Sequence, residues 1–346
     1  SAIGRALAVP LTVRRTLPPW DNSQMDGFAV RAAEGPRTLE ITETIFAGDA
    51  PKHEVRPGCC ARIMTGARLP PGADAVVMQE KTTRLDDRHV EILEAATPGQ
   101  FIRRRGEDVR EGEPLFARGR ELSAADLGAL WGQGLTEVAV FSRPRVNIVT
   151  SGDELLPPGS DGEGIIDTNG PVLQTLATSA GAIATHVGRA ADTLDSLRAH
   201  FERGLEADVL ITVAGASVGE RDFTREALQS LGVELDFWKL AMRPGKPLMF
   251  GRRGATLVFG LPGNPVSAMV TFELFVRPAL RALQGLPTAL ETLPARAASP
   301  MKPAPGLRLF TRATYEHRDG ALWATPVGSQ SSGALSSAFA AHALVD

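Results

Sequence analysis

Aromatic side chains are scarce in this sequence. Phenylalanine, tryptophan and tyrosine make up 5% of it, with a single tyrosine, which disfavours a surface built to stack nucleic-acid bases. Cysteine is scarcer still. The only two, Cys59 and Cys60, are adjacent, so they cannot form a zinc site alone, and two thiols do not make a disulfide framework. A reducing, cytoplasmic compartment is expected. The net charge of −3 gives no reason to expect nucleic acid or an anionic membrane as partner. No apolar run reaches the roughly 18 to 20 residues that span a bilayer, and the six histidines are scattered without an HExxH pattern. The chain opens at Ser1 in a stretch that reads as helical, without a signal-peptide pattern. It is expected to be a trimmed chain and not a secreted one.

What is present is ordinary globular material, 43% hydrophobic and 22% charged over 346 residues, which is enough for two to four units with a buried core. Glycine (35) and proline (25) are frequent enough to demand many tight turns and too few for collagen or low complexity. Pro18-Pro19-Trp20 is a break. From Arg31 to about Arg118, short Val/Ile/Thr runs such as Ile41–Phe46, Ala75–Gln79 and His89–Leu93 are cut by Gly and Pro, as in an all-β module. Ser123, with Asp126 three residues on, starts a helix running to Gln133.

Past Arg143-Pro144 the pattern alternates. Strands are expected at 145–150, 182–187, 209–213, 248–250 and 257–259. Helices are expected at 171–179, 193–205, 223–230 and, as one long amphipathic helix, 266–284. Buried strands alternating with helices imply a parallel sheet covered on both faces, with its ligand at the strands' C-terminal ends. Residues 287–306 carry five prolines and read as a stiff linker or edge segment. Strands of a small β unit follow at 307–315 and 321–327. The fold class is therefore multidomain α/β plus β.

Chemistry-bearing residues collect in the loops after those strands: Gly152-Asp153-Glu154, then Gly215-Ala216-Ser217-Val218-Gly219-Glu220-Arg221-Asp222, Arg243-Pro244-Gly245-Lys246-Pro247 and Leu261-Pro262-Gly263-Asn264-Pro265-Val266-Ser267. Glycines admit an anion close to the backbone, a helix N-terminus offers free N–H groups, and lysine adds a point charge. Glu154, Asp192 and Asp222 are carboxylates of the kind that, with substrate phosphates, hold Mg²⁺. None of these loops matches GxGxxG or GxxxxGK[ST]. Singly, each also reads as a tight βα turn, with Asp222 merely complementing a helix dipole. Taken together, they indicate an anion site for a nucleotide or phosphorylated substrate. A second polar concentration lies in the first half: Asp21-Asn22-Ser23-Gln24-Met25-Asp26-Gly27, Arg62–Ala67, and Arg103-Arg104-Arg105-Gly106-Glu107-Asp108. Its plainer readings are an Asx-rich turn and a solvated charge cluster.

The stretches PPWDNSQMDGFAV (18–30), RIMTGARLPPGADAVVMQE (62–80), RRRGEDVREGE (103–113), VTSGDELLPPG (149–159), SVGERDF (217–223), FWKLAMRPGKPLMFG (237–251) and FGLPGNPVSAMVTFELFVRPAL (259–280) resemble, in order, the MoeA/gephyrin E-domain family of molybdopterin molybdenumtransferases. The likeness weakens after about residue 287. It implies an elongated N-terminal dimerisation domain at 1–30 and 119–143, whose helical region is interrupted by a β-rich domain at 31–118. A MogA-like α/β molybdopterin-binding domain with a parallel-rich sheet follows at 144–286, then a C-terminal β domain at 287–346. The implied reaction converts adenylylated molybdopterin and molybdate to molybdenum cofactor and AMP, with Mg²⁺. The implied state is a homodimer with its pocket between subunits, fed by a molybdopterin adenylyltransferase, with neither nucleic acid nor membrane as partner.

By motif match, Asp26, Thr65 and Asp108 fall on the family's functional positions in the first half. Glu154, Asp192 and Asp222 fall on its acidic positions, Asp192 and Asp222 being favoured on the metal or phosphate side. Arg243, Lys246 and Ser267 fall where molybdate binds, and Arg312 and Ser332 would complete that pocket. Gly215, Ser217 and Gly219 belong to its phosphate loop. Four departures stand out: a shorter N-terminal helix, Ala214-Gly215-Ala216-Ser217 for Gly-Gly-Val-Ser, Asp192-Thr193 for a pair of aspartates, and Arg243 for lysine. Two rivals are adenylylation of molybdopterin, which would not need the 31–118 module, and a non-catalytic scaffold.

Overall fold

The computed structural model describes residues 2–214, 223–301 and 304–346. They form two compact units, Val9–Arg118 with Leu122–Val138, and Ala2–Ala8 with Gly119–Glu121 and Ala139–Asp346.

The first unit is built on a six-stranded sheet in the order Ala75–Met78, Gly27–Val30, Cys59–Ile63, Thr38–Ile45, His89–Ile92, Thr82–Arg84. Successive side chains go to opposite faces. Phe28, Val30, Cys60, Val77, Val90 and Ile92 fill one core, and Ala29, Ile45, Ala61, Ile63 and Val76 fill another. The sheet takes in Gly27–Val30, ahead of the expected start at Arg31. That strand is four residues long and buried throughout, so it lacks the alternation that marks a half-exposed strand. The stretch expected to be helical at the N-terminus is not: among the described residues 2–30 there is no helix. Leu11–Thr12 instead pairs antiparallel with Pro114–Phe116. Pro10, Pro18 and Pro19 remove helix donors, and Thr12, Val13 and Thr16 are β-branched, which together defeat a helix there. The Ala124–Gly132 helix does form as expected. The Ser123 hydroxyl accepts from the Asp126 N–H, and the Asp126 carboxylate accepts from the Ser123 N–H, a reciprocal cap.

The second unit centres on a six-stranded sheet ordered Ile183–Ala190, Arg145–Ser151, Val209–Ala214, Thr256–Pro262, Met249–Arg253, Glu234–Phe237. The first four strands are parallel, Met249–Arg253 runs against them, and Glu234–Phe237, antiparallel to Met249–Arg253, runs with them again. The parallel sheet implied by the alternation is thus parallel-rich, with one reversed strand next to its edge. Only Gly254-Ala255 separates Met249–Arg253 from Thr256–Pro262, and two residues can close a hairpin but not a crossover. Both faces are buried. Val146, Ile148, Val209, Ile211, Phe259 and Leu261 pack against Leu173, Ala177, Ala268 and Phe272. On the other face Val149, Leu210 and Val258 pack against Leu197, Phe201, Ala227 and Leu228. The sheet's side chains are thus used up in packing, and ligand chemistry is left to the loops beyond the strand ends.

The helix expected over 266–284 is Pro265–Thr271, a π-turn at Phe272–Val276 and Arg277–Leu283. Pro278 has no N–H to close an α-type bond, and a widened turn just before it absorbs the mismatch. Near the C-terminus four strands, Arg296–Ala297, Ala321–Pro326, Thr311–Arg318 and Ala343–Val345, form a separate sheet. Arg308–Leu309 adds in parallel to Met242–Arg243, and Phe310, Ala338 and Leu344 pack with Met242, Val266 and Val270. This fixes the C-terminal residues beside the helix that begins at Pro265. Among the described residues no helix is long and apolar enough to cross a membrane.

Candidate active site

At the C-terminal ends of the strands Arg145–Ser151, Val209–Ala214 and Thr256–Pro262 the second unit opens into a cavity of about 970 Å³, near the top of the roughly 300–1,000 Å³ range of small-molecule sites. Five of the residues singled out in the sequence line it: Glu154, Arg243, Lys246, Ser267 and Ser332. They come from four loops. Arg243 and Lys246 are exposed, on either side of Gly245. Gly245 has φ +105°, and a Cβ there would lie 2.5 Å from the Thr271 side chain, so only glycine lets this loop lie against the helix. Ser267 is buried in the first turn of Pro265–Thr271. Asn264 caps that helix in position only, because its side chain makes no cap bond. Its amide donates instead to Ser332 Oγ at 3.1 Å, while the Val266 N–H donates to the Ser332 carbonyl at 3.3 Å. The C-terminal loop thereby becomes one wall of the cavity.

Arg312 does not line the cavity. It is 2% exposed and holds that wall from behind. Its Nη2 donates to the carbonyls of Ser329 and Ser331 at 3.1 Å each, and its Nε donates to Ser337 Oγ at 3.0 Å. Burial lowers its affinity for a proton, yet a guanidinium stays charged. The expectation that Arg312 completes the pocket directly is therefore changed to support of the loop carrying Ser331 and Ser332.

Asp192 lies just past the Ile183–Ala190 strand, outside the cavity wall, and its N–H donates to Asp153 Oδ1 at 3.0 Å. Burial and then the charges of Asp153 and Glu154 hold its carboxyl above the usual carboxylate range. Glu154 and Asp192 are thus brought near one another by the ends of adjacent strands. Asp222, Gly215, Ser217 and Gly219 lie outside the described residues. Among the described residues no three His, Cys, Asp or Glu side chains converge as a metal-binding group.

In the first unit, Asp26 and Thr65 meet. Asp26 Oδ1 accepts from both the N–H and the hydroxyl of Thr65, at 2.7 Å each, and these bonds, the backbone one foremost, hold its carboxyl below the usual range. The two polar clusters also join. Asn22–Ser23 pairs with Ile102–Arg103, and Asp21 accepts from Arg104 Nη1 at 2.6 Å and from the Arg105 N–H at 2.8 Å. Asp108 is exposed, and its N–H donates to the Leu17 carbonyl at 3.1 Å.

Several cavity residues were not anticipated: Thr150, Asp167 and Asn169. Asp167 had a readable signal. An Asp that precedes Asn169-Gly170-Pro171 has the form of a helix start, and its Oδ1 accepts from the Gly170 N–H at 3.0 Å. Asn169 Nδ2 donates to the Gly263 carbonyl at 2.7 Å and so ties the 167–169 wall to the 262–265 wall. Nothing local in the sequence announces that bond.

A parallel-rich α/β unit whose strand ends open on a cavity holding lysine, arginine and a helix N-terminus suits an anionic ligand. Comparisons agree along the chain. Residues 1–134 match the MoeA N-terminal region (domain I and II), 147–282 a probable molybdopterin binding domain, and 294–346 the MoeA C-terminal region (domain IV). A molybdopterin molybdenumtransferase of Nostoc sp. is 40% identical over 303 residues, which is 83% of this chain and 68% of that protein. Molybdopterin molybdenumtransferase 2 of Mycobacterium tuberculosis is 37% identical over 342 residues, 93% of this chain and 83% of its own length. The crystal structure of a molybdopterin biosynthesis MoeA protein from Pyrococcus horikoshii superposes with a TM-score of 0.84 at 30% identity, over 100% of this chain and 87% of that one. The chain belongs to the MoeA family of molybdopterin molybdenumtransferases, and its role lies in molybdenum cofactor biosynthesis.

Proposed function

We propose that this protein inserts molybdenum into molybdopterin, with adenylylated molybdopterin and molybdate as substrates and molybdenum cofactor and AMP as products. The dithiolene sulfurs replace oxygen ligands of molybdate, while water cleaves the phosphoanhydride that activates the pterin. The observation that carries this reading is the meeting of Arg243, Lys246, Ser267 and Ser332 around one cavity, although nearly ninety residues separate the first from the last. Two substrates that are both anionic repel one another, and fixed cations with helix N–H groups offset that repulsion.

Mg²⁺ suits the donors available. Glu154 and Asp192 supply oxygens, and of the two causes that raise Asp192, burial first and then the charges of Asp153 and Glu154, the second is one a divalent cation relieves. Bound there with Asp222, it would neutralise phosphate charge. In the same reading the protein works as a cytoplasmic homodimer. Asp26 and Thr65 face the α/β domain of the partner subunit, and the pterin arrives from a molybdopterin adenylyltransferase.

The test is AMP release from adenylylated molybdopterin with Mg²⁺, with and without molybdate. Molybdate-dependent release that disappears in Lys246→Ala supports the reading. Absence of release from intact substrate and folded protein overturns it.

A further inference from the structure

Beneath the cavity lies a group of side chains to which the proposed reaction gives no part. Asp167 is a carboxylate 2% exposed. No lysine or arginine among the described residues pairs with it, and His186 Nε2 lies 3.8 Å from its Oδ2. Its Oδ1 holds the Gly170 N–H at 3.0 Å and its Oδ2 faces the Thr150 hydroxyl at 2.7 Å. Thr150, fully buried, stands 3.1 Å from His186 Nε2. The direction of these bonds follows from their chemistry. A carboxylate only accepts, so the single Thr150 proton goes to Asp167. Thr150 Oγ1 must then receive a proton from His186, whose Nε2 therefore carries the hydrogen.

Gly170 makes room for this arrangement. It is helical and needs no special backbone angle, but a Cβ there would lie 2.6 to 2.9 Å from the His186 ring. Parallel pairing of Arg145–Ser151 with Ile183–Ala190 brings Thr150 and His186 into reach, and the helix that opens at Asn169 brings Asp167.

We propose that His186, Thr150 and Asp167 form a one-way hydrogen-bond chain that positions Asn169, and through its bond to the Gly263 carbonyl holds two walls of the cavity in register. These are positioning residues. They act on the ligand through the wall they fix, and the part of the inference that concerns ligand rests on the function proposed above.

The structural part needs no ligand. Imidazole nitrogen NMR of the free protein should show His186 as the Nε2–H tautomer. Thr150→Val, which keeps the shape and removes the hydroxyl, should alter the His186 ring signals and shift the Asn169 side-chain amide. Thr150→Ser should restore both. Gly170→Ala should disturb His186 in the same way although alanine favours a helix. An Nδ1–H tautomer in the parent protein, or an unmoved Asn169 amide in a folded Thr150→Val, overturns the proposal. For binding, molybdopterin retained by ultrafiltration should fall about ten-fold in affinity in Thr150→Val, the cost of losing one hydrogen bond to a charged group, and should recover in Thr150→Ser. If the NMR behaves as expected and the parent protein retains no molybdopterin, the proposed function falls and the chain of bonds stands.

Discussion

Asp26 and Asp192 occupy comparable places, one just before the Gly27–Val30 strand and one just after Ile183–Ala190, yet their surroundings pull them in opposite directions. Asp26 receives two donors from Thr65, and its proton is driven off. Asp192 is partly screened from water beside Asp153 and Glu154, and its proton is bound more tightly than usual. The two units differ in the same sense. In the first, functional candidates satisfy one another on an exposed surface. In the second, helices cover both faces of the sheet, and the loops at its ends leave cations and carboxylates around a cavity. An aspartate in a motif is therefore not one electrostatic object. The strand end that carries it decides whether it waits for a cation or has already found its donors.

The largest effect that would sharpen this contrast is in the core. Ile148→Ala, at a fully buried position of the second unit's sheet, should cost about 2–5 kcal/mol in denaturant titration. It should collapse the cavity's binding while leaving Asp26–Thr65 spectroscopically intact, and equal disturbance of both units would break the comparison. Next comes the cation wall. Lys246→Ala should lower molybdate-dependent turnover by about 100-fold, the size of loss seen when one preorganised charge donor is removed, with the melting temperature unchanged. Ser123→Ala, which removes the reciprocal cap, should cost about 1 kcal/mol, measured by chemical denaturation of the first unit.

The smallest effect is the most direct on the pair itself. Carbon NMR of the side-chain carboxyls should place the Asp26 midpoint below the ordinary carboxylate value of about 3.9 and that of Asp192 above it. The signs for stability then differ. The folded state binds the Asp26 proton more weakly than the unfolded chain, so its contribution is present above the ordinary value and is lost as pH falls through the depressed one. Asp192 binds its proton more tightly when folded. Its contribution is present below the ordinary value and is lost as pH rises through the elevated one, and added Mg²⁺ should lower that midpoint. Midpoints of the same sign would refute the contrast.

Much of this was legible in the sequence because it is local. Strand and helix alternation after residue 144, the Ser123 cap and the polar loops after strands all follow from spacing over a few residues. What escaped reading is what distance in sequence hides. The reversed strand depends on a two-residue hairpin beside a short apolar run. The proline-poor look of the first few residues suggested a helix that Leu11–Thr12 gives up for Pro114–Phe116. Arg312 reads like another ligand for an anion, but its burial behind the Ser329–Ser331 carbonyls is set by the folding of a tail in which motifs are weak. Thr150 and His186 come together through the register of two parallel strands, and Asp167 joins them from the turn before the helix that opens at Asn169.

The wall formed by Gln330, Ser331 and Ser332 has a consequence for the order of events in synthesis. The α/β sheet and its helices are all translated before residue 287 and can condense while the chain is still being made. The strand Ala343–Val345, which pairs with Thr311–Arg318 and packs Leu344 near Val266, is made later than the sheet it is fastened to. A nascent chain that has completed the sheet but not residues 330–345 therefore carries an unfinished cup, one wall of which arrives only after the rest has condensed.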